Sequence, residues 1–281
     1  MENTVSLTLK EISDRIDEIG NIEDIQEKTT QTRKFFAEVL KNNEFYVLGQ
    51  PGTTEEDIQS GKIRPYIANG PKGNYSYIRV FTDIELAYKA AQRVKAVING
   101  KEMILKIDTE NLTDIVRDYF LMGMDGILLN DGARWITYTC EAFLGVAYHD
   151  VLNIPDKFQV SFINTVRAIH DIAKKRVRIV APVKYYEDIK EEDIFNGKAE
   201  LYNFDKEILF IEYYDKYKVE NVFKEKVFWV DIPIERLYEI IEKANEANLN
   251  NVKIAYNGRQ ANGNPKNILV LLEQLGFKPI K

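Results

Sequence analysis

Apolar positions along this chain fall into two rhythms. Short runs rich in aromatic and β-branched residues read as strands: Phe45-Tyr46-Val47-Leu48, Tyr77-Ile78-Arg79-Val80-Phe81, Met103-Ile104-Leu105-Lys106-Ile107 and Gly126-Ile127-Leu128-Leu129. Between them the spacing lengthens to three and four. Leu9, Ile12, Ile16 and Ile19 make a helical stripe stopped at Gly20-Asn21, and a second helix is expected from about Ile22 to Lys41. Leu112, Ile115, Val116 and Phe120 predict another helix, as do Leu237, Ile240, Ile241 and Ala244. Thr82-Asp83-Ile84-Glu85 reads as a capping box with Thr82 as the cap, opening a helix through Ala87, Ala90, Ala91 and Val94. Asp108 and Asp231 each end a strand-like run and are expected to cap the helix that follows, with Pro233 in the first turn after Asp231.

The order of these elements occurs twice. Glu55-Glu56-Asp57-Ile58-Gln59-Ser60-Gly61-Lys62 returns as Glu191-Glu192-Asp193-Ile194-Phe195-Asn196-Gly197-Lys198, with six of eight positions identical. Phe45–Leu48 aligns with Val177–Val180 before it, and Tyr77–Asp83 with Leu209–Asp215 after it. Next come Met103–Asp108 against Val227–Asp231, and Gly126–Gly132 against Val252–Gly258. Five matches in one order indicate a duplication. The second copy has only Lys216 to Glu225 where the first has a full helix and an Asn99-Gly100 turn, so that helix is expected to be short or missing. The expected architecture is α+β: an N-terminal helical segment, 1–43, then two tandem repeats of a small mixed β-sheet domain with flanking helices, 44–152 and 158–281. Packing of 1–43 on the chain's own domains is the default, with an oligomer or partner contact through those helices as the alternative.

The 281 residues, 45% hydrophobic and 29% charged, are those of a globular chain with a proper core. A single cysteine, Cys140, excludes an internal disulfide and fits a reducing compartment. No run of apolar residues is long enough for a membrane span, and the acidic start Met1–Val5 lacks the pattern of a secretory signal, so the cytoplasm is the expected location. Residues 1–157 hold 18 Lys/Arg against 25 Asp/Glu, whereas 158–281 hold 20 against 19. Neither half is a nucleic-acid platform, and the acidic first half suits a basic protein partner. The one dense basic run, Lys174-Lys175-Arg176-Val177-Arg178, reads as a charged strand edge.

The first copy resembles the N-terminal domain of the SseB family, named for enhanced serine sensitivity. Phe45–Leu48, the Val80-Phe81-Thr82-Asp83 junction and Gly126–Gly132 carry the likeness, over roughly residues 35–145. Asp131 stands where that family often has proline. The resemblance implies an α+β domain used for interaction or regulation, without a catalytic activity, metal or cofactor.

The residues themselves point the same way. No glycine-rich phosphate loop is present, and the Asn- and Gly-rich stretch Gly258–Pro265 matches no phosphate-binding spacing. His149 and His170 have no partners at zinc-ligand spacing, and Cys140 in the apolar run Trp135–Cys140 is expected to be a buried structural thiol. The acids Glu55, Glu56 and Asp57 look solvated. The cluster Tyr213, Tyr214 and Tyr217, interleaved with Lys216 and Lys218, falls in the shortened connection. Tyrosine joins large area to a polar tip, which suits a protein interface. These six residues are the candidate partner-binding set of a non-enzymatic interaction or regulatory protein, of the kind that sequesters another protein in immunity or defence. An enzyme or sensor for a polar small molecule, with its site between the two copies, is the alternative, and a structural subunit assembling through 1–43 is a third reading.

Overall fold

The structure, a computed structural model, describes residues 6–59, 64–69, 75–155, 160–175, 179–188, 190, 193, 196, 200–220, 223, 225–233, 236–256, 259–274, 276 and 277. The chain divides into two compact units, Met1–Phe158 and Gln159–Lys281. Among the described residues no helix is long and apolar enough to cross a membrane.

Unit 1 opens with α1 (Leu9–Gly20) and α2 (Ile25–Asn42). Thr8 and Glu11 form a reciprocal capping box at the start of α1, and Asp24 caps α2. Ile12, Ile16 and Ile19 are buried as one stripe. Phe36 of α2 stacks on Tyr138 with centroids 4.1 Å apart and planes 4° off parallel, and the Thr109 hydroxyl donates to the Leu40 carbonyl. The N-terminal helices pack on the rest of unit 1, as the default reading has it, and the stripe Ile12, Ile16 and Ile19 is buried there.

The sheet of unit 1 contains β1 (Phe45–Leu48), β2 (Ile67–Asn69), β3 (Ser76–Phe81), β6 (Ile104–Ile107), β7 (Gly126–Leu129) and β8 (Ile136–Thr139), with a separate hairpin of β4 (Val97–Ile98) and β5 (Lys101–Glu102). A five-residue α3 (Glu55–Gln59) lies between β1 and β2. The strand order is β6-β1-β3-β7-β8, with β2 also on β3; β3 and β7 are parallel and every other pair is antiparallel. All four residues of β7 are buried, as a central strand with a parallel neighbour requires. The helix α4 (Ile84–Val94) packs on the face that carries Leu48, Phe81 and Ile104. Pleat parity puts Tyr138, and hence α2, on the other face. The helices α5 (Thr109–Leu121) and α6 (Cys140–Val146) complete the unit with a π-helical turn at Ala147–Val151.

Unit 2 runs α7 (Val160–Lys175), β9 (Ile179–Lys184), β10 (Asn203–Phe204), β11 (Glu207–Glu212), a 3₁₀ turn Tyr213–Asp215, α8 (Lys216–Glu220), β12 (Val227–Ile232), α9 (Leu237–Glu246), β13 (Asn251–Tyr256), β14 (Arg259–Gly263) and α10 (Pro265–Gln274). Its strand order is β12-β9-β11-β13-β14, with β10 also on β11; β11 and β13 are parallel and the rest antiparallel. The two sheets thus share one order and one sense at every pairing.

Several local expectations shift. Asp83, not Thr82, caps α4 by accepting from the Leu86 amide at 2.8 Å. The Thr82 side chain is engaged by Asn130, which is fully buried at φ +57° and accepts from the Thr82 amide at 2.9 Å. Asp108 does cap α5, accepting from Asn111 at 2.8 Å. Asp231 lies inside β12, paired with Val180, and α9 begins only at Leu237 with Arg236 at its N-cap position, after a bond from the Arg236 amide to the Pro233 carbonyl. The rungs also slide. The Tyr66 amide donates to the Leu48 carbonyl at 2.7 Å, and the Tyr202 amide to the Pro182 carbonyl at 2.8 Å. Leu48 therefore occupies the position of Pro182, two residues beyond the Val180 that sequence alignment matches to it.

Candidate functional site

The pleat decides which side chains of unit 2 share a face. Pro182 pairs with Trp229, and Val180 with both Ile211 and Asp231, while Leu209 pairs with Lys253. These rungs correspond to Leu48 with Ile104, Tyr46 with Phe81 and Lys106, and Arg79 with Leu128. In unit 1 that face lies under α4, whose Leu86, Ala87, Ala90 and Ala91 are all less than a tenth exposed. In unit 2 the described residues of the same connection form the 3₁₀ turn and the five residues of α8. A cavity of 220 Å³ stands there, lined by Pro182, Tyr202, Leu209, Val219 and Phe223, with Glu207 and its ion-pair partner Lys253 at the edge.

Aromatic rings build the wall. Phe223 sits edge-on to Tyr202 at 5.1 Å and to Trp229 at 5.8 Å. The Trp229 indole N–H is buried and has no hydrogen-bond acceptor among the described residues. Nearby, Lys226 Nζ lies 4.0 Å from the centre of the Tyr185 ring, and Tyr185 and Tyr186 are both exposed. In unit 1 the corresponding Tyr66 is instead overlain by the Arg79 guanidinium at 5.2 Å, which also faces Asp131 at 3.2 Å. Leu209 replaces that arginine in unit 2, and the cation of the rung moves to Lys253 on β13, where unit 1 has Leu128.

The tyrosines expected at an interface lie on the connection that bounds this cavity. Tyr214 is 83% exposed, and its ring meets the half-buried Tyr213 edge-on at 5.8 Å, while Lys216 Nζ lies 4.5 Å over Tyr213. Neither ring lines the cavity; Val219 of the same connection does. Tyr217 belongs to α8 in its backbone, and its side chain is outside the described residues.

The acids land elsewhere, in unit 1, and Asp57 and Glu55 have local work there. The Asp57 carboxylate accepts from the Thr54 amide at 2.9 Å and hydroxyl at 2.7 Å, closing the turn that opens α3. Glu55 accepts from the Asn99 side-chain amide, and Glu56 is exposed. At the second occurrence of the motif Asp193 accepts from the Lys190 amide at 3.0 Å, the same turn closure; Glu191 and Glu192 lie outside the described residues. The recurring aspartate thus has a turn-forming reason in both units.

Cys140 is fully buried at the start of α6, its thiol donating to the Met124 carbonyl at 3.5 Å. It ends the β8 run and begins a helix, one residue beyond the strand expected to hold it. Among the described residues no group of three or more His, Cys, Asp or Glu is placed to hold a metal ion. The apolar face of unit 2 had no signal in local sequence: Tyr202, Leu209, Phe223 and Trp229 read singly as core residues, and only the ladder brings them together. Comparison with protein-family models, with curated proteins and with solved structures returns no match, so the geometry alone supports a reading of function.

Proposed function

We propose that this chain is a non-enzymatic interaction or regulatory protein made of two diverged copies of one SseB-like α+β unit, and that its second unit holds another protein on the sheet face described above. The common strand order, the common sense of every pair and the repeated Asp57 and Asp193 turns support descent from one unit. The cytoplasm suits a chain with a single cysteine, whose thiol is fully buried.

One observation carries the reading: matched rungs lie under an 11-residue helix in unit 1 and under a five-residue helix beside an aromatic-walled cavity in unit 2. An apolar face of this kind is a natural seat for a partner, because burying Tyr, Phe and Trp area drives association and the tyrosine tips direct it. Tyr214, exposed on the same connection, is included in the proposed contact.

The test is affinity capture with the full chain from its native host, comparing the parent with Leu209→Arg and with Tyr88→Ala. Leu209→Arg puts at this position the arginine that unit 1 has there, Arg79, and Tyr88 is an exposed tyrosine of unit 1. One stoichiometric protein partner is expected with the parent and Tyr88→Ala and lost with Leu209→Arg. Retention of the same partner by Leu209→Arg, with an unchanged circular dichroism spectrum, would remove this face from the interaction.

A further inference from the structure

We infer that the occupant of the open face in unit 2 is an amphipathic helix of the partner, and that its contact stripe is uncharged and built from small residues. The inference rests on the function proposed above and specifies the partner's chemistry. Three features of the molecule support it.

The first is the chain's own solution to the same surface. On the matched rungs of unit 1 the occupant is α4, and it contacts the sheet through Leu86 and the alanines at 87, 90 and 91. Alanine lets the helix backbone approach a face already thick with rings such as Tyr46 and Tyr66. Unit 2 keeps an aromatic at the second of these positions, Tyr202, and adds Trp229 where unit 1 has Ile104. Val180 and Ile211 stand where unit 1 has Tyr46 and Phe81, but Phe223 packs on Tyr202 and Trp229, so three rings again crowd the face and favour a thin stripe. At about 1.5 Å of rise per residue, α4 spans ~16 Å of the sheet and α8 only ~7 Å. The difference is roughly two helical turns.

The second is hydrogen bonding. The backbone groups of β9, β11 and β13 that face their neighbours are used in ladders on both sides. An extended peptide lying across the face would find no strand edge there and would leave its own amides and carbonyls unmet. A helix satisfies its backbone internally and can lie on an apolar sheet face at no such cost.

The third is charge. The acid that lines the cavity, Glu207, already holds Lys253, and Glu200 and Asp215 of the same unit hold Lys184 and Lys218. A charged stripe would be desolvated opposite groups whose charge is already met, so a neutral stripe fits the face.

A direct experiment uses α4 itself as the probe. A capped peptide of residues 82–95 is locked as a helix by a lactam between Glu85 and Lys89, both exposed in α4 and one turn apart. It is titrated into the full-length Trp135→Phe protein, in which Trp229 is the only indole. The expected result is a saturable shift of Trp229 emission. Binding should weaken at least tenfold for an unbridged peptide with Ala90→Pro, and at least tenfold for protein bearing Leu209→Arg. Should Leu209→Arg alter the circular dichroism spectrum, Val219→Glu, which also lines the cavity, takes its place. Absence of a saturable shift, or equal binding by the Ala90→Pro peptide, overturns the helix inference. In that event partner capture that still depends on Leu209 leaves the interaction function standing, whereas loss of that dependence removes both.

Discussion

Gly126 is the position where an added methyl group meets something that cannot move aside. A Cβ built there would lie 2.3 Å from the Tyr138 carbonyl oxygen and 3.1 Å from its carbonyl carbon. Both atoms belong to the backbone of β8, which is paired to β7 through Gly126 with Thr139 and Ile127 with Tyr138. Relieving the overlap requires the strands to part by about 1 Å, enough to lose roughly two ladder hydrogen bonds worth about 1 kcal/mol each, with further strain of ~1 kcal/mol. The smaller conformational freedom of alanine in the unfolded chain returns ~0.5 kcal/mol. Gly126→Ala is thus expected to destabilise unit 1 by about 2–3 kcal/mol. Gly49 is the internal control. A Cβ there would also come too close, at 2.0 Å, but to Met103 Sδ at the end of a flexible side chain. Rotation of the thioether should hold the cost of Gly49→Ala to about 1 kcal/mol. The assay is urea unfolding of the full chain in a Trp229→Phe background, with Trp135, beside β8, as the reporter. At a slope of about 2 kcal/mol per molar urea, Gly126→Ala should lower the midpoint by about 1–1.5 M, and Gly49→Ala by about half a molar. A Gly126→Ala midpoint equal to or above that of Gly49→Ala would show that β8 can step aside, and the steric argument would be wrong.

Three further outcomes follow from other contacts. Asp57→Ala should cost about 1 kcal/mol of local stability at the α3 turn, read as faster proteolysis near Thr54, and leave partner capture unchanged. Hydrogen bonds from the Arg33 guanidinium hold the Asp150 carboxyl below its usual range, so Asp150 adds stability above about pH 4 that is lost as pH falls further through its lowered folded value. Asp150→Asn should flatten the acid limb of stability measured from pH 5 to 3, by less than about 1 kcal/mol because Arg33 is half exposed. Burial pushes the Tyr138 phenol up to about 12. Its contribution is complete below the ordinary tyrosine value near 10 and is lost as pH rises through 12, so Tyr138→Phe should lessen the alkaline loss of stability while keeping the stack on Phe36.

Much of the fold is legible along the chain because its cues are local. The stripe of Ile12, Ile16 and Ile19, the Asp108 cap and the Asn99-Gly100 turn, whose two residues have φ of +50° and +75°, depend on neighbours within a few positions. The candidate site was legible only in part. Tyr214 is exposed on a shortened connection, as its sequence setting suggested, but the acids Glu55 and Asp57 are engaged locally in unit 1. Solvated-looking acids and turn-closing acids have the same sequence signature, and a hydrogen bond three residues away separates them.

The periodicity of apolar residues and the spacing of breakers determine which segments become helices and strands, since those preferences arise within a few residues of backbone. Register and coverage are decided by tertiary structure. Asp231 sits at the end of a β-rich run just as Asp108 does, yet it pairs with Val180 inside β12 because the ladder to β9 extends through Ile232 with Ile179. The cavity of unit 2 likewise arises from residues distant in sequence, Pro182, Tyr202 and Leu209 among them, beside a helix of five residues. Pairing between strands and the reach of a helix across a sheet are long-range properties. No window of sequence contains both partners, which is why the face that carries the proposed function emerges only in the folded unit.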